Sequence, residues 1–241
     1  MSSDGFGESL ALCKRLVVMN ADEIPHLTRW LRATWGIAPP MDAWTHPIAL
    51  DVGGLAGKLG LNSDYSAWLV QNWPVVQIGR QDRIFSEVYT LETRRRRQWI
   101  NRMADEETMN AVRQEAEGRG RTIQGEVEIL SLSNDDFDKT LLQSIVLIPL
   151  WAATANNSVL EIMSLNVPAF VSRLPATESV LGVDYPMFYS DPAQIEAVID
   201  DNARIAALMS HTRQYLEGMD KSRFTLEAFS QEAAQTVLRL G

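Results

Sequence analysis

The apolar residues of this chain fall into two patterns: short continuous runs, and longer stretches in which they recur at three- and four-residue steps. The first pattern reads as buried strand, the second as helix packed by one face. Leu16-Val17-Val18-Met19 is a run of the first kind. A helix follows it from the caps Asn20 and Asp22 through Trp35, stopped by Gly36 and Pro39-Pro40. Residues 46 to 73 are glycine-rich and irregular around GGLAGKLGL, which lacks the GxxxxGK[ST] spacing of a phosphate loop. From Pro74 the pattern becomes regular. Strands are predicted at Val75-Ile78, closed by Gly79, and at Gln98-Asn101, Val127-Leu130, Ile145-Pro149, Ala169-Val171 and Met187-Tyr189. Helices are predicted at 104–118, 135–143, 157–165, 191–200, 203–217 and 224–238. In the last of these, Leu226, Phe229, Ala233, Val237 and Leu240 predict one buried stripe.

Strands and helices alternating in this order predict an α/β fold: a doubly wound, mostly parallel, Rossmann-like sheet with C-terminal helices. Ile145 to Ile148 is apolar without interruption, as expected of a strand covered on both faces. Such sheets bind ligands beyond the carboxyl ends of their strands, at helix N-termini. That rule singles out two loops, the one after Ile78 and the one after Pro149. The pattern divides the chain into residues 1–45, a short segment of its own, and 46–241, the Rossmann-like domain.

Composition narrows the function classes. The chain has 241 residues, 46% hydrophobic and 22% charged, enough to bury a substantial core. The single Cys13 excludes an internal disulfide framework, and the three histidines show no metal-ligand spacing. A net charge of −9 argues against a broad nucleic-acid surface. The run Arg94 to Arg97 is the local exception; a solvated edge is favoured there over a phosphate or acidic-polymer patch. MSSDGFGESLALCKR is not the pattern of a signal peptide, and Ile145 to Ala155 is too short to span a bilayer, so a cytoplasmic protein is expected.

The candidate chemistry lies in LWAATANNSVLEIMSLNVP. Asn156, Asn157 and Ser158 stand at a predicted helix start, where free N–H groups and the helix dipole favour an anionic phosphate. Glu161, one turn on, shares a face with Asn157 and Ser158, where its carboxylate could accept hydrogen bonds from a ribose diol. On spacing alone this reading and a plain helix cap with a surface acid stand equal.

The text AATANNSVLE, followed by VPAFVSRLPATESVLG and VDYP, resembles the C-terminal domain of GT-B glycosyltransferases. It is most similar to polysaccharide- and phage-associated glycosyltransferase-like proteins. IGRQDRIFSEVYTL resembles the glycine-arginine loop of the same group, with Gly79, Arg83 and Tyr89 in register. The resemblance spans residues 74–190 and, more loosely, 12–47. It implies a donor site for a nucleotide-diphosphate sugar, with no further cofactor and no obligatory metal. In that site Gly79 would let the backbone approach the donor and Arg83 would meet the diphosphate. Asn156, Asn157 and Ser158 would supply helix-start donors, Glu161 would hold the ribose, and Glu178 would sit by the sugar or a neighbouring loop. Residues 1–45 resemble the last strand and helix of an acceptor-side domain. Ala152 and Ala153 stand where the related proteins carry an acid, so no catalytic residue is assigned. The resemblance therefore implies a glycosyltransferase donor half, completed by an acceptor-binding partner protein or a homodimer. The alternative is an interaction or regulatory protein that kept the fold, or the donor subunit of a split enzyme.

Overall fold

The computed structural model describes residues 9–18, 21–45, 47–48, 65–79, 87–100, 106–152 and 156–239. The GGLAGKLGL segment and Arg83 lie outside them. The chain divides into two compact units, one of residues 1–50 with 220–241 and one of residues 51–219. The C-terminal helix, placed by the sequence pattern at the end of the 46–241 domain, thus clusters with the N-terminal segment.

In the first unit, β1 (Leu16–Val18) pairs in parallel with β2 (Met41–Ala43). Between them runs α1 (Ile24–Trp35), entered through a 3-10 turn at Ala21–Glu23, with Glu23 at the N-cap making no side-chain cap bond. It ends where Gly36 takes a left-handed φ of 73° and donates its N–H to the Arg32 carbonyl at 3.0 Å, a conformation only glycine adopts without strain.

The C-terminal helix of this unit, Leu226–Leu238, corrects the predicted stripe. Leu226 and Val237 are 68% and 63% exposed. The helix instead packs Phe229 edge-on against Trp44, with ring centroids 5.4 Å apart. Trp44 Nε1 donates to Thr236 Oγ1 at 3.0 Å, and Glu232 accepts from the Thr45 N–H and hydroxyl at 2.7 and 3.1 Å. Directional bonds to Glu232 and Thr236 turn the helix away from the face that apolar spacing marked; Leu240 lies outside the described residues.

The second unit holds the predicted sheet. Its strands are β3 (Val75–Ile78), β4 (Arg97–Ile100), β5 (Glu128–Leu130), β6 (Ile145–Ile148), β7 (Ala169–Ser172) and β8 (Phe188–Tyr189). All pair in parallel, in the order β5-β4-β3-β6-β7-β8. β3 and β6 are buried at every position, which accounts for their unbroken apolar or nearly apolar text. Trp99 on β4 is fully buried and meets Tyr89 edge-on at 5.8 Å.

The flanking helices begin where short polar side chains cap them. Ser133 accepts from Asp136 N–H before the helix Asn134–Leu142. Asp191 accepts from Ala193 N–H before Pro192–Ile199, and Asp201 from the Ala203 and Arg204 N–H groups before Asn202–Gly218. From β3 the chain builds outward through β4 to β5, then returns to lay β6 on the other side of β3. The crevice beyond the carboxyl ends of β3 and β6 is therefore the topological switch point, where open α/β sheets bind ligands.

Candidate functional site at the switch point

Both loops singled out by sequence flank this crevice. β3 ends at Gly79, whose φ of 119° lies in the region open to glycine. The Gly79 carbonyl accepts from Trp99 Nε1 at 3.4 Å, tying the turn to β4. On the other side β6 leads, past Ala152, into the helix Asn157–Ser164. Asn156 is its N-cap: the side-chain oxygen accepts from Val159 N–H at 3.1 Å. Asn157 is exposed and Ser158 half-buried, and the first-turn N–H groups open toward the carboxyl edge of the sheet. Ala153 lies outside the described residues.

Glu161 is half-buried, and its carboxylate has no hydrogen-bond or ion-pair partner among the described residues. Burial pushes its pKa up, and the negative charge of Asp138 adds to the shift. Glu178 has a different environment. It lies in the helix Pro175–Leu181 that follows β7, where Arg173 Nε donates to its carboxylate at 2.6 Å. Arg173 also donates to the Val183 carbonyl at 3.1 Å and lies over the Phe188 ring, 5.6 Å from its centroid. Gly79, Asn156, Asn157, Ser158, Glu161 and Glu178 thus share the carboxyl edge of one sheet, but among the described residues Glu178 has an ion-pair partner and Glu161 has none.

Sequence reasoning missed a polar chain beneath this edge. Leu150 N–H donates to Ser172 Oγ at 2.7 Å, and Ser172 Oγ donates to the Tyr189 hydroxyl at 3.1 Å. Tyr189 donates to Glu87, which also accepts from Arg119 at 2.8 Å. The chain links the carboxyl ends of β6, β7 and β8 to the short helix Glu87–Thr90. Burial raises the Glu87 pKa despite Arg119 and Tyr189, and burial followed by the Glu87 charge raises that of Tyr189. On β3 Gln77 Oε1 accepts from Val88 N–H at 2.9 Å, while its buried Nε2 has no partner among the described residues. No signal in the sequence joins these residues; Glu87 and Tyr189 are 102 positions apart.

No cluster of metal-binding side chains occurs among the described residues, and none of their helices is long and apolar enough to cross a membrane. No family model and no curated protein matches the sequence. Solved structures do match the fold. The Anabaena protein HepE, in complex with UDP and glucose, superposes with a TM-score of 0.66 at 11% identity, over 99% of this chain and 68% of that one. A glycosyltransferase from Rickettsia africae matches at 0.56 and 10%, over 97% of this chain and 66% of that one. WaaG, a glycosyltransferase involved in lipopolysaccharide biosynthesis, matches at 0.55 and 12%, over 89% and 61%. The fold is that of GT-B glycosyltransferases.

Proposed function

We propose that this chain is the donor-binding half of a glycosyltransferase. It holds a nucleoside-diphosphate sugar at the β3–β6 switch point for transfer to a hydroxyl of a glycan or surface-polysaccharide acceptor. Glu161 carries this reading. A half-buried carboxylate with no partner among the described residues is costly to maintain, and a ribose diol donating two hydroxyl hydrogen bonds would satisfy it. The diphosphate would then lie along the first turn of the Asn157–Ser164 helix, over Asn156, Asn157 and Ser158, with Gly79 opposite, and Arg83 would meet its charge. Those groups would stabilise the negative charge that develops on the leaving diphosphate. Glu178, held by Arg173, would fix the turn beside the sugar rather than bind it directly.

The solved HepE complexes, which contain UDP or UDP-glucose, support a nucleotide sugar as the ligand class. Within this reading residues 46–241 are the donor domain, residues 1–45 belong with the acceptor side, and the compartment is the cytoplasm. Ala152 and Ala153, standing at the positions of an acid in the resembling proteins, favour a second reading: a non-catalytic relative, or the donor subunit of a split enzyme.

The test is a thermal-shift screen of nucleotide sugars, since a ligand that binds only the folded state raises apparent stability by about 2.7 kcal/mol at 100 times its Kd. A uridine or guanosine diphosphate sugar is expected to raise the midpoint. Glu161→Ala should weaken nucleotide binding by about 1–3 kcal/mol, the loss of a charged hydrogen-bond acceptor. Calorimetry giving equal affinity for both proteins removes Glu161 from the site.

The raised pKa of Glu161 adds a signature. Both carboxylate oxygens accept from ribose, with charge-assisted strength, only when the group is ionised, so affinity should climb with pH through a range above the usual 4.5 of a glutamate. Glu161→Gln should flatten that rise. The titration of the nucleotide itself is common to both proteins and cancels in the ratio of affinities.

A further inference from the structure

The opposite, amino-terminal edge of the sheet carries a second concave surface. A groove of about 420 Å³ is lined by Gln71, Asn72 and Trp73 ahead of β3, by Arg94, Arg95 and Arg96 ahead of β4, and by Asp200 and Asn202. Its volume lies within the range of small-molecule sites.

The three arginines divide in role. Arg95 uses its donors on the fold. Its Nε donates to the Ile199 carbonyl at 2.6 Å, its Nη1 to the carbonyls of Val70, Gln71 and Trp73 at 2.6, 3.4 and 3.3 Å, and its Nη2 to Asn202 Oδ1 at 2.5 Å. Asp200, the one acid in the lining, is likewise engaged. It accepts from Thr93 Oγ1 at 2.6 Å and from the Arg94 N–H at 3.2 and 3.0 Å. The backbone of residues 93–95 is thereby clamped on both sides, and the neighbouring guanidinium groups stand out from a fixed support. The Arg94 side chain is 85% exposed; its Nη2 donates to the Asp200 carbonyl at 3.3 Å and its Nε lies 3.6 Å from the Asp200 carboxylate. Arg96 is exposed and has no partner among the described residues.

A solvated edge needs no such bonds; here they fix the stretch of backbone from which the two exposed cations rise, so that both face the same groove. In a chain of net charge −9 the groove is a local excess of positive charge, three arginines against one acid. Trp73, half-buried and held edge-on by Tyr65 at 5.7 Å, adds an aromatic wall beside exposed amides.

We propose that this groove binds an acidic oligosaccharide, with Arg94 and Arg96 reading its carboxylate or phosphate groups and Trp73 packing on a sugar ring. It is a second site, remote from the donor crevice. The choice of a glycan as the carrier of the anion rests on the glycosyltransferase reading, whereas the anion site itself does not.

The experiment titrates fluorescein-labelled oligogalacturonate into the full chain and into the Arg94→Gln/Arg96→Gln double variant, both positions being exposed and outside the core. Neutral maltooligosaccharide and a single-stranded oligodeoxynucleotide compete. The expected result is saturable binding that falls with salt and is weakened about ten-fold by the double substitution. Neither competitor should displace the probe at equal concentration, and UDP affinity should be unchanged. Absence of binding at low salt, equal binding by the double variant, or displacement by maltooligosaccharide overturns the proposal. Displacement by the oligonucleotide overturns it in favour of a nucleic-acid surface. UDP titrated in parallel separates the two readings: loss of nucleotide binding by the wild type bears on the donor site alone.

Discussion

Glu87→Ala is expected to lower the free energy of unfolding by about 3 kcal/mol, the lower end of what breaking a buried ion pair costs. The Glu87 side chain is 2% exposed and joins Arg119, itself 28% exposed, to Tyr189. Removing it leaves the Tyr189 hydroxyl without this acceptor and takes from Arg119 its buried partner, while the pair with Glu115 at 3.1 Å remains. The loss extends through Ser172 to the Leu150 N–H, and so to the carboxyl ends of three strands. Urea unfolding of wild type and variant measures it, with the exposed Glu106→Ala as reference. A midpoint shift no larger than that of Glu106→Ala would show that the chain of bonds does not stabilise the fold.

The pH dependence gives an independent check. Burial holds the Glu87 carboxyl above the usual 4.5, so the folded state keeps its proton to higher pH than the unfolded chain does. The contribution of this group is fully present below 4.5 and declines as pH rises through the raised value. Glu87→Gln, which keeps an acceptor for Tyr189 without the charge, should remove that decline.

The second large effect is on turnover. Purified chain incubated with nucleotide sugars and hydroxyl acceptors is expected to bind donor yet release little diphosphate and form little glycosylated product. Holding acceptor and donor in line is worth about 7–11 kcal/mol of barrier, whereas donor binding needs only the crevice. Ala152 and Ala153 supply no carboxylate to position the acceptor, and none of His26, His46 and His211 belongs to the donor motif as a base. The assay measures free diphosphate and product by mass spectrometry. Robust product from this chain alone overturns the expectation and puts the acceptor site within these residues. Product that appears only when a second protein is added identifies a split enzyme.

The Glu87 and Glu161 variants separate two roles at one sheet edge. The bonds among Glu87, Tyr189 and Ser172 fix strand ends, and their loss is read in stability. Glu161 makes no side-chain bond of its own among the described residues, and its loss is expected to be read in ligand affinity. A variant at Glu161 that unfolds the chain without changing nucleotide affinity would exchange those roles.

Local text determined the elements of this protein. The run Ile145–Ile148 is a strand because continuous apolar side chains suit a sheet covered on both faces, and Asn156 caps a helix because its side chain replaces a missing backbone acceptor. Both effects act within a few residues, so the sequence displays them directly. The parallel sheet and the two loops at its carboxyl edge followed from the alternation of these elements.

Tertiary structure alone decided which partners each side chain meets. The helix Leu226–Leu238 turned its Glu232 and Thr236 inward because Trp44 and Thr45, nearly two hundred positions earlier, offered directional bonds that periodicity does not encode. Glu178 found Arg173, Glu87 found Tyr189, and Glu161 found none among the described residues, although all three are glutamates in helices. Whether a carboxylate is held for the fold or left for a ligand depends on contacts between distant segments. Those contacts exist only once the chain has closed on itself.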